Sequence, residues 1–421
     1  MAGSISSPSL LFSASPSPRI EPPPANLSVI PENFPLSGSP RNIPSSLTPF
    51  LAIAVAVVCA LSTARASDQA GEIPHLQKHG TATQLVVGGR PFLMLAGELG
   101  NNTATNLDYL NSKWPKLVDT RLNSVLAAVS WAQVEPEEGK FDFRVLDGVI
   151  QGARSHDLRL VLLWFGSWKN GHSTYAPNWV KADYQRFPRV QNQEGRSIEV
   201  LTPFSPENRD ADARAFAALM KHVKAVDEKN RTVIMIQVEN EIFGRDRSPL
   251  ATAAHSKPVP AELMDYLTKH KSTLIPELLA VWEKAGARTS GGWEEVFGPG
   301  VAGDEIFMAW HFSRYVGRIA RLGKAEYPLP MYVNSWGWAF PKEGQKTNGA
   351  PMSDVFDVWR AGAPDIDIIS PDIYDADFAQ SCALYTRSGN PLLIPETRGF
   401  PPNNLGARVL YAFGRHDAIG I

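Results

Sequence analysis

The chain has 421 residues, 43% hydrophobic and 20% charged, and its 41 Lys and Arg against 43 Asp and Glu leave a formal net charge of −2. That length holds one large domain or two ordinary ones, and the balanced charge excludes a general nucleic-acid binder, which needs a basic surplus to neutralise phosphates. Eleven Trp, ten Tyr and nineteen Phe exclude a wholly disordered chain and supply flat faces for a packed core or for stacking on sugar rings.

Residues 1–46 contain ten Pro and twelve Ser with no periodic apolar pattern. Such a stretch cannot offset its ordering entropy by burial and reads as a disordered leader. From Phe50 to Leu61 run twelve uncharged, mostly aliphatic residues, followed by Ala64-Arg65-Ala66. Residues 47–66 therefore read as a signal peptide, too short for the roughly 20 residues of a spanning helix. Cleavage is expected after Ala66 and the destination is secreted or periplasmic; an uncleaved membrane anchor is the alternative. Removing the leader removes Cys59 and leaves Cys382 without an internal disulfide partner.

Residues 67–421 read as one α/β domain. Short apolar runs alternate with amphipathic segments, the pattern of a parallel sheet wrapped by helices. The runs lie at 91–96, 124–129, 158–164, 233–238, 330–333, 366–369, 392–394 and from Ala418 onward. Eight such runs are what a (β/α)8 TIM barrel requires. Ser205-Pro206-Glu207 supplies an N-cap, a first-position Pro and an acidic first turn. Phe216, Leu219, Met220, Val223 and Val226 follow it at helical spacing. The long interval from Ile242 to Leu329 carries at least two helical stretches, 260–285 and 304–322, and is expected to pass over the active face. With only four residues from Ala418 to Ile421, the barrel looks truncated at its eighth strand. Two unpaired rows of backbone groups are then expected beside the first and seventh strands.

Chemistry in such a barrel belongs to the C-terminal strand ends. The fourth run ends Gln237-Val238-Glu239-Asn240-Glu241 and the seventh Ile394-Pro395-Glu396-Thr397. Strands four and seven face each other across the mouth, so Glu241 and Glu396 can share one pocket. Paired carboxylates are the requirement for cleaving a glycosidic bond: one protonates the leaving oxygen while the other attacks the anomeric carbon. Trp131, Trp164, Trp168, Trp336, Trp338 and Tyr374 follow the second, third, fifth and sixth runs. Trp168 and Trp336 are the choices for the pocket, and the rest of the tryptophans are mostly core.

These residues carry a resemblance. Asn240-Glu241 after strand four and Glu396 after strand seven resemble the retaining glycoside hydrolases of clan A. The stretch QVENEIFG is similar to the acid/base motif of the family 35 and family 42 beta-galactosidases, as is the segment from Val129-Ser130-Trp131 through Glu135-Pro136-Glu137-Glu138-Gly139 to Phe141-Asp142-Phe143. The resemblance runs from about residue 85 to the end. It implies that Glu241 is the general acid/base, Glu396 the nucleophile, Asn240 the partner of the sugar 2-hydroxyl, and Tyr374 the residue orienting the nucleophile.

The remaining residues have two readings each. Arg398 either supports the charge of Glu396 or forms a rim ion pair. Glu98, in Gly97-Glu98-Leu99-Gly100, either reaches a substrate hydroxyl from the first strand end or plays no part. Glu135 is expected to hold its loop, and strand alternation turns Glu239 away from Asn240 as a structural acid. No HExxH, GxGxxG, GxxxxGK[ST] or GxSxG motif occurs, so neither metal nor cofactor is implied. The expected activity is hydrolysis of terminal beta-galactosyl residues with a carbohydrate as partner. The alternatives are an endo-acting beta-glycanase of the same clan and a non-catalytic carbohydrate-binding or remnant barrel.

Overall fold

The structure is a computed structural model that describes residues 72–336, 349–374, 377–398 and 404–421. The leader, the signal-peptide segment and Trp338 lie outside these residues.

An antiparallel ribbon (His75–His79, Ala82–Val87, Arg90–Pro91) comes first. Gly88 and Gly89, both at positive φ (59° and 72°), make the tight turn between its second and third strands, a conformation that side-chain-bearing residues adopt at a cost. Seven parallel strands follow: β1 (Ala96–Glu98), β2 (Ser124–Ser130), β3 (Arg159–Lys169), β4 (Val233–Asn240), β5 (Met331–Trp336), β6 (Ile368–Ile373) and β7 (Glu396–Thr397). Each pairs with the next in sequence order, giving the parallel barrel wall that the alternating runs predict.

The expected gap at the eighth strand is not what the structure contains. The amides of Met94 and Ala96 donate to the carbonyls of Ile419 (3.1 Å) and Ile421 (2.9 Å), while the Ile419 amide donates to Leu392 O (2.8 Å) and Ile394 N to Gly420 O (3.1 Å). Residues 418–421 thus bond to both neighbours and complete the ring. Four residues suffice because the pairing they complete is short: β1 and β7 hold three and two residues.

Alternation sorts the strand side chains into two layers. Leu126, Ala128, Val161, Leu163, Phe165, Ile234, Met235, Tyr332, Ile368, Leu393 and Ile419 form one buried cluster with Leu85, Val87 and Met94. Val125, Ala127, Val129, Leu160, Leu162 and Val238 belong to the larger cluster shared with the helices. The helices that matter for the site are α1 (Arg144–Ser155), α2 (Pro206–Asp227) and α3 (Val301–Glu326). α2 begins as expected: Ser205 Oγ accepts the Asn208 amide at 3.2 Å, with Pro206 next. The stretch expected to be helical over 260–285 is instead two helices, Ala261–Lys269 and Pro276–Lys284. Pro276 is the physical reason, since it lacks an amide hydrogen and starts a helix instead of continuing one.

Candidate active site

At the C-terminal mouth, polar side chains from several strands gather. β4 supplies Asn240 and, just beyond it, Glu241; β5 supplies Asn334; β6 supplies Asp372, with Tyr374 following; β7 supplies Glu396. All but Tyr374 are buried. Glu241, Asp372 and Glu396 each bring one oxygen within 4.8 Å of the other two.

The backbone at the end of β4 is responsible for aiming them. Glu239 (φ 62°) and Glu241 (φ 43°) both adopt left-handed conformations, which non-glycine residues rarely hold without surrounding support. The kinks break simple alternation. Glu239 turns out of the barrel, accepting the amides of Ser167 (3.1 Å) and Trp168 (2.6 Å) of β3, while Asn240 donates to Glu396 Oε1 at 3.1 Å. Support comes from the turn after β3: Asn170 N donates to Asn240 O, Gly171 N to Glu241 O, both at 3.1 Å, and the Asn170 side-chain amide donates to the Glu241 carboxylate.

Three donors converge on Glu396. Tyr374 OH reaches Oε2 at 2.8 Å, and Asn240 Nδ2 and Asn334 Nδ2 reach Oε1 at 3.1 and 3.2 Å. Asn334 Nδ2 also donates to Asp372 Oδ2 at 2.8 Å, and its Oδ1 accepts the Glu241 amide at 3.1 Å. Glu241 has a different setting. Burial, then the charge of Glu396, push it up to about 7, against the pull of Lys169 and a hydrogen bond from Asp372. Asp372 is held well above the usual carboxylate range by burial and then by Glu396, Glu241 and Glu98. Glu98 reaches the mouth from β1 with its outer side open to water; desolvation by the barrel wall and then Glu396 raise it to about 8. The three clustered carboxyls receive donors from Asn170, Asn240, Asn334 and Tyr374, an arrangement suited to acid–base chemistry.

The other expected residues fall as follows. Arg398 places its guanidinium 5.7 Å from the centre of the Tyr374 ring. Trp336 is half-buried and packs edge-on against Phe243 at 4.7 Å. Trp168 does not line the pocket: it is 1% exposed, its Nε1 donates to Leu201 O at 3.1 Å, and it packs on Phe312 and Tyr315. The β3 strand extends to Lys169, and Trp168 falls on its helix-facing side. Glu135 holds its loop as expected, accepting Trp131 Nε1 (2.8 Å) and the Gly139 amide (2.7 Å). Asn170, Asn334 and Asp372 were not foreseen. Their one sequence signal is a polar residue at the C-terminal end of an apolar run.

Residues 108–315 match the family model for beta-galactosidase, Glyco_hydro_42. The chain resembles the family 42 beta-galactosidases. The matched stretch contains the Asn240-Glu241 motif, whereas Tyr374 and Glu396 follow it. Beta-galactosidase 14 of Arabidopsis thaliana is 24% identical over 217 residues, 49% of this chain and 22% of that protein. Beta-galactosidase LacZ of Lactobacillus acidophilus is 24% identical over 209 residues, 47% of this chain and 29% of that protein. The chain thus matches less than a third of the length of either relative. Among solved structures, a beta-galactosidase from Rahnella sp. R3 aligns with a TM-score of 0.49 and 19% identity, over 78% of this chain and 50% of that one.

Proposed function

We propose that this glycoside-hydrolase-like barrel hydrolyses terminal beta-galactosyl residues with net retention at the anomeric carbon. The observation that carries the reading is the pair itself: Glu241 and Glu396 converge at the strand ends with oxygens within 4.8 Å but in opposite environments. A retaining mechanism uses carboxyl groups about 5–5.5 Å apart, whereas an inverting one needs about 6.5–9.5 Å to admit a water. Glu241, raised to about 7, suits the residue that must donate a proton at neutral pH. Glu396, with three donors on its oxygens, suits the residue that attacks.

In the first step Glu396 attacks the anomeric carbon while the Glu241 proton passes to the departing glycosidic oxygen. In the second, Glu241 takes a proton from water, the hydroxide attacks the same carbon, and Glu396 leaves as carboxylate. Asn240, whose Nδ2 lies 3.1 Å from Glu396 Oε1, is the partner of the sugar 2-hydroxyl in this reading. Galactose as the preferred sugar rests on the names of the relatives. A panel of aryl glycosides tests it: the galactoside is expected to be cleaved fastest, and a preference for glucosides or internal linkages would replace it. Azide tests the roles. With Glu241→Ala and an activated aryl galactoside, azide should restore turnover and give the β-azide, because attack on the glycosyl-enzyme then needs no base. The α-azide from that variant would reverse the assignment.

A further inference from the structure

Behind the acid/base residue lies a second pair of carboxyl groups that the mechanism above does not use. Glu239 leaves β4 on the helix side and meets Asp212 of α2, and both side chains are fully buried. One amide bridges their carboxyl groups: Ser167 N donates to Asp212 Oδ2 at 2.8 Å and to Glu239 Oε1 at 3.1 Å. Two buried carboxyl groups sharing one donor repel if both are ionised, and a proton on one of them relieves that repulsion. The surrounding donors assign it. Asp212 accepts three: Trp164 Nε1 on Oδ1 at 2.9 Å, and the amide and hydroxyl of Ser167 on Oδ2 at 2.8 and 2.6 Å. Glu239 accepts a short bond on Oε2 from Trp168 N at 2.6 Å, while its Oε1 has a longer one from the same Ser167 amide at 3.1 Å. Oε1 also borders the same space as Asp212 Oδ2: a Cβ added to Gly166 would meet both, at 2.5 and 2.7 Å. Burial and the neighbouring charge of Asp212 act in the same direction, holding Glu239 well above the usual carboxylate range.

We propose that Glu239 is a permanently neutral acid whose Oε1–H donates to ionised Asp212, and that this latch is a positioning device for Glu241. It clamps residues 167–168 of β3 against β4 and α2. Two residues further on, the same segment presents Asn170, whose amide groups hold the Asn240 carbonyl and the Glu241 carboxylate. Other groups facing the latch are Tyr315 of α3, whose hydroxyl meets Ser167 Oγ at 2.7 Å, and Arg209 of α2, whose charge reaches Tyr315. The inference rests on the reading of Glu241 as acid/base.

The test compares Glu239→Gln with Glu239→Ala. Glutamine keeps the latch, its NH2 replacing Oε1–H toward Asp212 and its oxygen accepting Trp168 N, while the Ser167 amide gives up its longer bond to Oε1 and keeps the one to Asp212 Oδ2. It should retain the parent's kcat/KM and pH profile. Alanine releases the segment, and a displacement of about 1 Å at a catalytic group costs on the order of 10²-fold. Because Asn170 then no longer supports the ionised form of Glu241, the alkaline limb of kcat/KM should also move to higher pH, which a mere loss of folded protein would not produce. Glu239→Gln being as impaired as Glu239→Ala overturns the proposal, and so does a folded Glu239→Ala with the parent's rate and limb. If the alanine variant does not fold, infrared difference spectra decide without substrate: the parent minus Glu239→Gln must contain a neutral carboxyl band at pH 7. Its absence overturns the latch. Failure of the glycosidase reading is recognised separately, by loss of azide rescue in Glu241→Ala.

Discussion

Toward its N-terminal end the barrel lumen is filled by Leu163 of β3, Ile234 and Met235 of β4, Ile368 of β6 and Leu393 just before β7, with Leu85 and Val87 of the ribbon, whereas at the C-terminal end β4 to β7 present Asn240, Glu241, Asn334, Asp372 and Glu396. The first set is apolar, and its ribbon residues close the lumen from below. The second gathers carboxyl groups whose mutual repulsion and desolvation oppose folding. The comparison teaches that stability and chemistry occupy opposite ends of the same strands: the lower layers offset the cost of the charge cluster above them.

Substitutions at the two ends should therefore fail in different ways. The largest effect is expected for Glu396→Gln and Glu241→Gln. Each removes a reacting group, and loss of general acid–base assistance alone costs about 10²–10⁴-fold. Thermal melting should stay at or above the parent's value, since a charge is removed from the cluster. A melting point several degrees lower with turnover intact would erase the distinction between the ends. At the bottom the pattern inverts. Leu163→Ala should lose about 2–5 kcal/mol by leaving a cavity, measured by denaturant unfolding, with kcat per folded molecule unchanged.

A smaller effect is expected for Tyr374→Phe, which deletes one of three donors to Glu396. Removing a hydrogen bond to a charged group costs about 1.5–3 kcal/mol, to be read in kcat. The smallest concerns pH. Glu241 and Glu98 have folded values of about 7 and 8, above the ordinary 4.5, so the folded chain binds more protons than the unfolded one between those limits. Their contribution to stability is complete below pH 4.5 and is lost as pH rises through 7 to 8. The melting temperature should accordingly fall over that window, and less steeply in Glu98→Gln. A rise over the same window would mean that the mouth is not crowded with raised carboxyls.

The barrel was legible in the sequence because buried parallel strands are continuous apolar runs, and Glu241 and Glu396 stood out as acids at the ends of two of them. Their neighbours were harder. Asn334 and Asp372 are single polar residues whose roles depend on partners from three other strands, which no local pattern encodes. Trp168 illustrates the converse difficulty: a tryptophan after a strand is equally suited to a pocket and a core, and the choice turned on how far β3 extends. The left-handed backbone at Glu239 and Glu241 left no sequence signal, since neither is glycine. It decides that one acid of the motif faces the lumen and the other the latch.

Ring closure also has a kinetic side. The bonds that join Met94 and Ala96 to Ile419 and Ile421 link segments separated by almost the whole described chain, and contacts of such high sequence separation form slowly because the intervening loop must first be ordered. During synthesis the first strand emerges long before its partner and waits with an open edge, a template for pairing with other chains. Closing the ring removes both open edges, so the interval before closure is when pairing with another chain is easiest.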